Sequence, residues 1–325
     1  GITEKNGTYE NISYSTPPKD QKDDSSPEYL SVKIGDDMTP QQVESLRSLI
    51  KAYRAIFTAQ LPQQPAGVTP MTIKVDENKW QTKQNRLPYR TQSHIKQNEI
   101  GIKIEIMLEN GVIINSDSPE WSQVLLTPKP NMKWRFCIDY RKLNDATITQ
   151  GWPIPRIEEI LHRLGQKHYK WFAKLDFTDG FHQIPLASES QNYTAFTCFK
   201  GLYKWTRVPM GLKNASAYFQ QIMATEVFPH LIHDILEIYI DDVITGGEEF
   251  EDFLKNLEKI FQAISKRGLV VKPEKCLLGI KNVEILGHEI DAEGITFTRE
   301  KLQNVNSIRT PETGAQLHSN ICLFN

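Results

Sequence analysis

Apolar residues recur along this chain with two distinct periods, and each period predicts its own kind of element. Between Met38 and Phe57 the positions Val43, Leu46, Ile50, Tyr53 and Ile56 fall three or four apart, which predicts an amphipathic helix with Thr39 as its cap. His94 to Asn110 repeats the pattern through Ile100, Ile104, Met107 and Leu108, with Gly111 placed to stop it. A shorter helix is predicted over Trp152 to Leu164, opening on Pro-Ile-Pro and ending at Gly165. Ala215, Phe219, Ile222 and Met223 predict the buried face of another, entered through a turn at Pro209-Met210-Gly211. The longest, Glu248 to Lys266, carries Phe250, Phe253, Leu254, Leu257, Phe261 and Ile264 on one side and closes at Gly268.

Between these helices lie short runs that read as strands. Val124 to Thr127 and Trp134 to Ile138 flank a Pro-Asn-Met turn, and Tyr193 to Arg207 alternates around Lys200-Gly201 as a hairpin. Trp171 to Leu175 reads as a buried strand, Leu236 to Ile240 and Val243 to Thr245 as a tight hairpin, and Met71 to Val75 as an edge strand. Leu269 to Val271 and the residues beyond it predict further short strands with turns. Leu61 to Pro70 is a linker rich in Pro and Gln, and residues 1 to about 40 lack apolar periodicity, which predicts a disordered or loosely attached segment.

The hairpin at Leu236 to Thr245 carries Asp241 and Asp242 side by side at its tip. Adjacent carboxylates raise the cost of ionising one another unless a cation lies between them. Oxygen ligands of this kind suit Mg²⁺ or Mn²⁺. Taken alone, the pair reads as an ordinary Asp-Asp turn. Asp176 changes that reading, because it ends the strand Trp171 to Leu175 where the chain turns into Thr-Asp-Gly. Two short strands can then present three carboxylates to one point, as two-metal phosphoryl transfer requires.

Four motifs occur in order: L-D-F-T-D-G-F-H-Q-I from Leu175, V-P-M-G-L-K-N-A from Val208, Y-I-D-D from Tyr239 and I-L-G-H from Ile285. Together they resemble the reverse transcriptase of gypsy-type LTR retrotransposons, a relative of the retroviral polymerases, over residues from about Trp80 to about Asn325. The resemblance implies an α+β right-hand polymerase fold with fingers and palm and a truncated thumb. Residues 1–66 would be a spacer, partly disordered with one helix, 67–290 the fingers and palm, and 291–325 the start of the thumb. It implies an RNA-directed DNA polymerase that takes Mg²⁺ or Mn²⁺, binds RNA and DNA primer-template, and joins dNTPs to a primer 3′-hydroxyl. RNase H and integrase domains would follow in the polyprotein.

Residue by residue, the resemblance makes Asp176, Asp241 and Asp242 the catalytic, metal-holding carboxylates. Lys129 and Arg135, in the K-W-R-F-C-I-D-Y-R-x-L-N region, match the fingers cations that close over the triphosphate. Phe181 matches the bulky residue beneath the nucleotide sugar that leaves no room for a 2′-hydroxyl. Met210 and Gly211 fall beside the nucleotide and template base, although many relatives carry Phe or Gln in place of Met210. Tyr239 matches a contact to the primer minor groove, and Leu286, Gly287 and His288 the hairpin that grips the primer end. Plainer readings stand beside these: a solvated basic hairpin for Lys129 and Arg135, a core ring for Phe181, a buried strand tyrosine for Tyr239 and a satisfied structural histidine for His288.

Composition narrows the setting. With 325 residues, 39% of them hydrophobic and 24% charged, the chain has the make-up of a soluble globular protein of one large or two ordinary domains. No apolar run approaches the ~20 residues of a membrane span, and Gly-Ile-Thr-Glu-Lys at the N-terminus lacks the apolar core of a signal peptide. The expectation is a cytoplasmic protein with no membrane partner, with virus-like particles and the nucleus as the other compartments the resemblance implies. Cys137, Cys198, Cys276 and Cys322 show no zinc or disulfide spacing, and the acceptor patterns at Asn6 and Asn11 read as chance. A formal charge of −2 is low for a nucleic-acid enzyme, although Lys129 to Lys142 is locally basic. Two other readings stay open: a non-catalytic remnant or domesticated nucleic-acid-binding or interaction module, which the modest charge favours, and a viral RNA replicase, which fits the acids but not Phe181 or I-L-G-H.

Overall fold

The computed structural model describes residues 27–81, 86–128, 134–299, 303 and 313. Among them the chain begins with β1 (Lys33–Ile34), α1 (Pro40–Ala52), α2 (Glu77–Trp80) and α3 (His94–Glu109). β2 (Ile113–Asn115), β3 (Ser122–Pro128), β4 (Trp134–Ile138), α4 (Arg141–Ala146) and α5 (Ile157–Gln166) follow. Next come β5 (Trp171–Asp176), β6 (Phe196–Cys198), β7 (Gly201–Trp205) and α6 (Ala215–Ile222). The last are β8 (Leu236–Tyr239), β9 (Asp242–Gly247), α7 (Phe250–Lys266), β10 (Leu277–Ile280), β11 (Val283–Ile285), β12 (His288–Ile290) and β13 (Ile295–Phe297).

The strands form three sheets with the orders β1-β10-β5-β9-β8, β2-β7-β6-β3-β4 and β11-β12-β13. The first holds the strands that the resemblance assigns to the palm. Its period-2 alternation is followed strictly: Trp171, Ala173 and Leu175 of β5 enter the large core with α1, α6 and α7, whereas Phe172 enters a second cluster with α5, β11 and β12. The palm sheet is therefore covered on both faces. A bidentate pair ties one cover to it: Arg163 of α5 donates from Nε and Nη2 to Glu237 of β8 at 2.8 and 2.9 Å. Glu237 is buried, and His233 Nδ1 also lies 3.0 Å from its Oε2.

Local chemistry explains where the helices start and stop. Thr39 and Gln42 form the reciprocal capping box at the head of α1, and Gly111 and Gly268 take positive φ just past α3 and α7. The helix expected from Trp152 starts only at Ile157, because Pro153 and Pro155 lack the N–H and bias the residue before each away from helical φ/ψ. α3 buries Ile100, Gly101 and Ile104, while Leu108, expected on that face, is exposed. Neither Met71 to Val75 nor Leu269 to Val271 becomes a strand. Met71, Val75 and Val271 make only isolated bridges, and the Ile73 N–H is taken by the Ser190 hydroxyl at 2.8 Å instead of a ladder. In the expected hairpin from Tyr193 to Arg207, only Phe196–Cys198 pairs with residues 201–203, while Lys204 and Trp205 pair with β2.

The residues before Met38, expected to be loose, are bound into the palm from residue 27 onward. β1 pairs in parallel with β10, Lys33 opposite Leu277 and Ile34 opposite Leu278, and Val32 is buried. Residues 27–66 share the palm's large core through Leu46, Ile50, Ile56 and Phe57. The linker is pinned by Arg207, a buried guanidinium whose Nη2 donates to the carbonyls of Pro62 and Gln63 at 2.7 and 2.8 Å.

Only glycine fits at Gly35, where a Cβ would lie 2.1 Å from the Gly279 carbonyl oxygen. Gly35→Ala is expected to push β1 off β10 and lower stability by roughly 1–3 kcal/mol, as overpacking does. Thermal unfolding checks it, and an unchanged midpoint would show that β1 carries no stability.

Candidate active site

Asp176 ends β5 and Asp242 begins β9, and the antiparallel register sets them directly opposite one another. β8 and β9 close on the pair Tyr239–Asp242, so the chain reverses over Ile240 and Asp241 alone. Asp241 thus occupies the tip, while Asp242, expected beside it there, is already in the ladder. Two-residue reversals need left-handed backbone, and Ile240 supplies it at φ 58°. For a residue with a Cβ that conformation costs roughly 1–2 kcal/mol, so the surroundings must hold it.

Each opposed carboxylate has a lysine. Lys275 Nζ donates to both oxygens of Asp176 at 3.1 and 3.0 Å, and Lys174 Nζ lies 3.3 Å from Asp242 Oδ1 while also donating to the Glu284 carbonyl at 3.2 Å. The Asp176 backbone is fixed too, since its carbonyl accepts from Lys272 N–H at 2.8 Å. Asp241 has solvent at the tip, yet the surrounding protein removes enough water to push its pKa up, and the negative charges of Asp242 and Asp176 push it further. Its backbone hydrogen bond and the Lys275 charge oppose this without cancelling it. Burial works against the Lys275 charge, but the hydrogen bond it donates to Asp176 and the three carboxylate charges outweigh it and hold its pKa above the usual value.

Asp176, Asp241, Phe181, Met210, Lys272 and Lys275 line one open cleft. The donor chemistry fits a hard divalent cation: oxygen ligands from two strand ends whose mutual repulsion is already visible on Asp241. The fit is to two carboxylates. Asp242 does not line the cleft but faces Lys174, and among the described residues no three acidic, His or Cys groups converge in a metal-holding cluster. Phe181 stands over the cleft edge-on to Phe219 of α6, ring centroids 5.4 Å apart, and Phe177 meets the same ring at 5.8 Å.

Residues 127–290, which hold this cleft, match the family of reverse transcriptases described as RNA-dependent DNA polymerases. The chain belongs to the reverse transcriptase family. It is 34% identical over 277 residues to the retrovirus-related Pol polyprotein from transposon 412 of Drosophila melanogaster, across 82% of this chain and 22% of that protein. With the Pol polyprotein from transposon gypsy of the same fly the identity is 32% over 216 residues, 65% of this chain and 21% of that one. The foamy viral protease-reverse transcriptase solved in complex with dsDNA superposes with a TM-score of 0.72 at 25% identity, covering 89% of this chain and 59% of that one. The mixed helix-and-sheet architecture is thus that of a polymerase fold. The chain spans about a fifth of the length of the curated relatives it matches.

Of the other sequence-derived positions described in this reverse transcriptase, Met210 alone reaches the cleft. Arg135 is exposed on β4 opposite Thr127, and Lys129 lies outside the described residues. Gly211 takes φ 92° in the turn before α6, its carbonyl held by Asn144 Nδ2 at 2.8 Å, and Met210 beside it reaches the cleft with 57% of its surface exposed. Tyr239 is half-buried against the α5 cluster. Leu286 and Gly287, both at positive φ, make the turn between β11 and β12, and the His288 ring packs on Phe297 at 5.0 Å. The palm positions of Lys272 and Lys275 were not anticipated. Their one signal is the Lys-Pro-Glu-Lys run after Val271, which resembles any solvated turn.

The carboxyl of Asp241 is expected to titrate above the ordinary ~3.9 of an aspartate. Asp242→Asn moves its midpoint down by removing a like charge, and Lys275→Met moves it up. Carbon-13 NMR of the metal-free protein reads all three. Because a cation needs the ionised form, Mn²⁺ binding is expected to weaken as pH falls through this raised midpoint, at higher pH than an unperturbed aspartate would allow.

Proposed function

We propose that this chain is the fingers-and-palm core of an RNA-directed DNA polymerase that extends a primer 3′-hydroxyl with dNTPs on an RNA or DNA template. The observation that carries the reading is the single cleft shared by Asp176, Asp241, Phe181 and Met210. Asp176 and Asp241 are the residues that would hold Mg²⁺ or Mn²⁺. When bound there, such ions supply activation of the primer hydroxyl and neutralisation of the triphosphate. Asp242, paired with Lys174, adds negative field next to Asp241 rather than a ligand.

The remaining groups orient the substrate. Phe181 cannot swing away from the sugar, because Phe219 packs against one side of its ring. A 2′-hydroxyl therefore meets an aromatic wall. Met210, exposed in the turn that leads into α6, offers a flexible apolar face to the nascent base pair. Lys275 balances Asp176 and limits carboxylate repulsion in the metal-free cleft.

Primer extension on poly(rA)/oligo(dT) with dTTP and Mg²⁺ or Mn²⁺ tests the reading. The wild type is expected to extend, and the double variant Asp241→Asn, Asp242→Asn to be inactive. Silence from a wild type that also fails to bind Mn²⁺ would reject the polymerase and favour a non-catalytic retroelement module, and equal use of rNTPs would favour an RNA replicase. Phe181→Ala is expected to raise the rNTP-to-dNTP ratio of kcat/KM by roughly 10–100-fold, the scale on which shape exclusion discriminates. An unchanged ratio would show that Phe181 is only a core ring.

A further inference from the structure

α6 carries two consecutive residues with different partners around the site. Phe219 seats the Phe181 ring, and Gln220, only 2% exposed, turns the other way to the catalytic hairpin. Its Oε1 accepts the Ile240 N–H at 2.8 Å, and its Nε2 donates to the Ile238 carbonyl at 3.2 Å. One amide thereby grips the backbone on both sides of Tyr239, immediately before Asp241. The residue whose N–H it holds, Ile240, is β-branched and left-handed at φ 58°. Branched side chains avoid that region unless something outside the turn fixes it.

We propose that Gln220 is a positioning residue for polymerisation: its amide holds Ile240 left-handed and so sets where the Asp241 carboxylate stands. The inference rests on the polymerase reading above and adds a residue that no motif in the chain singles out. Both hydrogen bonds are required, since one partner is a donor and the other an acceptor. Neither a leucine nor an ionised glutamate satisfies both. A helix that fixes gate and carboxylate through adjacent residues also makes separable predictions for the two.

Gln220→Leu is expected to lower kcat by about 10–100-fold, the range that a small misplacement of a reacting group costs. Discrimination against rNTPs, which depends on Phe219 and Phe181, is expected to stay within about threefold of wild type. Ile240→Gly alone is expected to give no gain, because the turn is already held. Placed in the Gln220→Leu background it is expected to restore kcat by at least about fivefold, because glycine takes positive φ unaided. A general loss of packing would not be rescued by removing more side chain.

Hydrogen exchange of the Ile240 amide gives a readout independent of activity. It is expected to speed up by about 100-fold or more in Gln220→Leu, as for an amide that loses its acceptor. Gln220→Glu covers the case of a leucine variant that does not fold. Its protonated form can still donate and accept, so its activity relative to wild type is expected to rise as pH is lowered. The proposal is overturned if Ile240 exchange is unchanged in Gln220→Leu, if Ile240→Gly gives no rescue, or if the Gln220→Glu ratio is flat with pH. If the wild type itself fails to extend primers, the polymerase reading falls, and Ile240 exchange alone decides whether Gln220 holds the turn.

Discussion

Everything in the cleft depends on the register between β5 and β9. Side chains on a strand alternate with period two, so a slip of one residue would send Asp176 and Asp242 to opposite faces and turn Phe172 and Ala173 out of their clusters. The register is fixed because both faces of the palm are buried, one by α1, α6 and α7 and the other by α5 with the small sheet. The Arg163–Glu237 pair adds a polar constraint on the covered side, where a shifted β8 would strand a buried carboxylate.

Given that register, the chemistry follows from repulsion. Three acids are placed within each other's influence, and the fold answers with two lysines from different elements, Lys174 within β5 and Lys275 just before β10. The lysines divide the acids unequally. Asp176 and Asp241 remain in the cleft, whereas Asp242 faces Lys174, which also donates to the β11 backbone. A set of three equivalent ligands would need a symmetric environment, and this one is not symmetric.

What was legible in the sequence was whatever is written locally. The capping box at Thr39, the stops at Gly111 and Gly268, the apolar face of α7 and the acids of the Y-I-D-D hairpin are all decided within a few residues. Pro-Ile-Pro predicts an opening at Trp152, but two prolines one residue apart delay α5 to Ile157. Leu108 was misplaced because α3 is apolar on more than one side, and periodicity cannot then choose the buried face. Asp176 and Asp241, which motif and chemistry both point to, share the cleft. Lys275, Lys174 and Gln220 were not legible, because each acts across the fold on a partner that no spacing rule connects to it, and the parallel pairings β1 with β10 and β3 with β6 were invisible for the same reason.

The pairing of β1 with β10 has a consequence for how the palm is made. Residue 33 cannot find its partner until residue 277 exists, so a ribosome must deliver all the intervening chain before the border strand can pair. Until then the strap that carries β1 has no sheet to join, and the palm edge at β5 has no cover. Long-range pairings of this kind form slowly, and an open strand edge is an invitation to other chains. The last step of palm assembly is thus the closing of a loop that encloses nearly the whole catalytic core, and the nascent chain is most open to mispairing just before it.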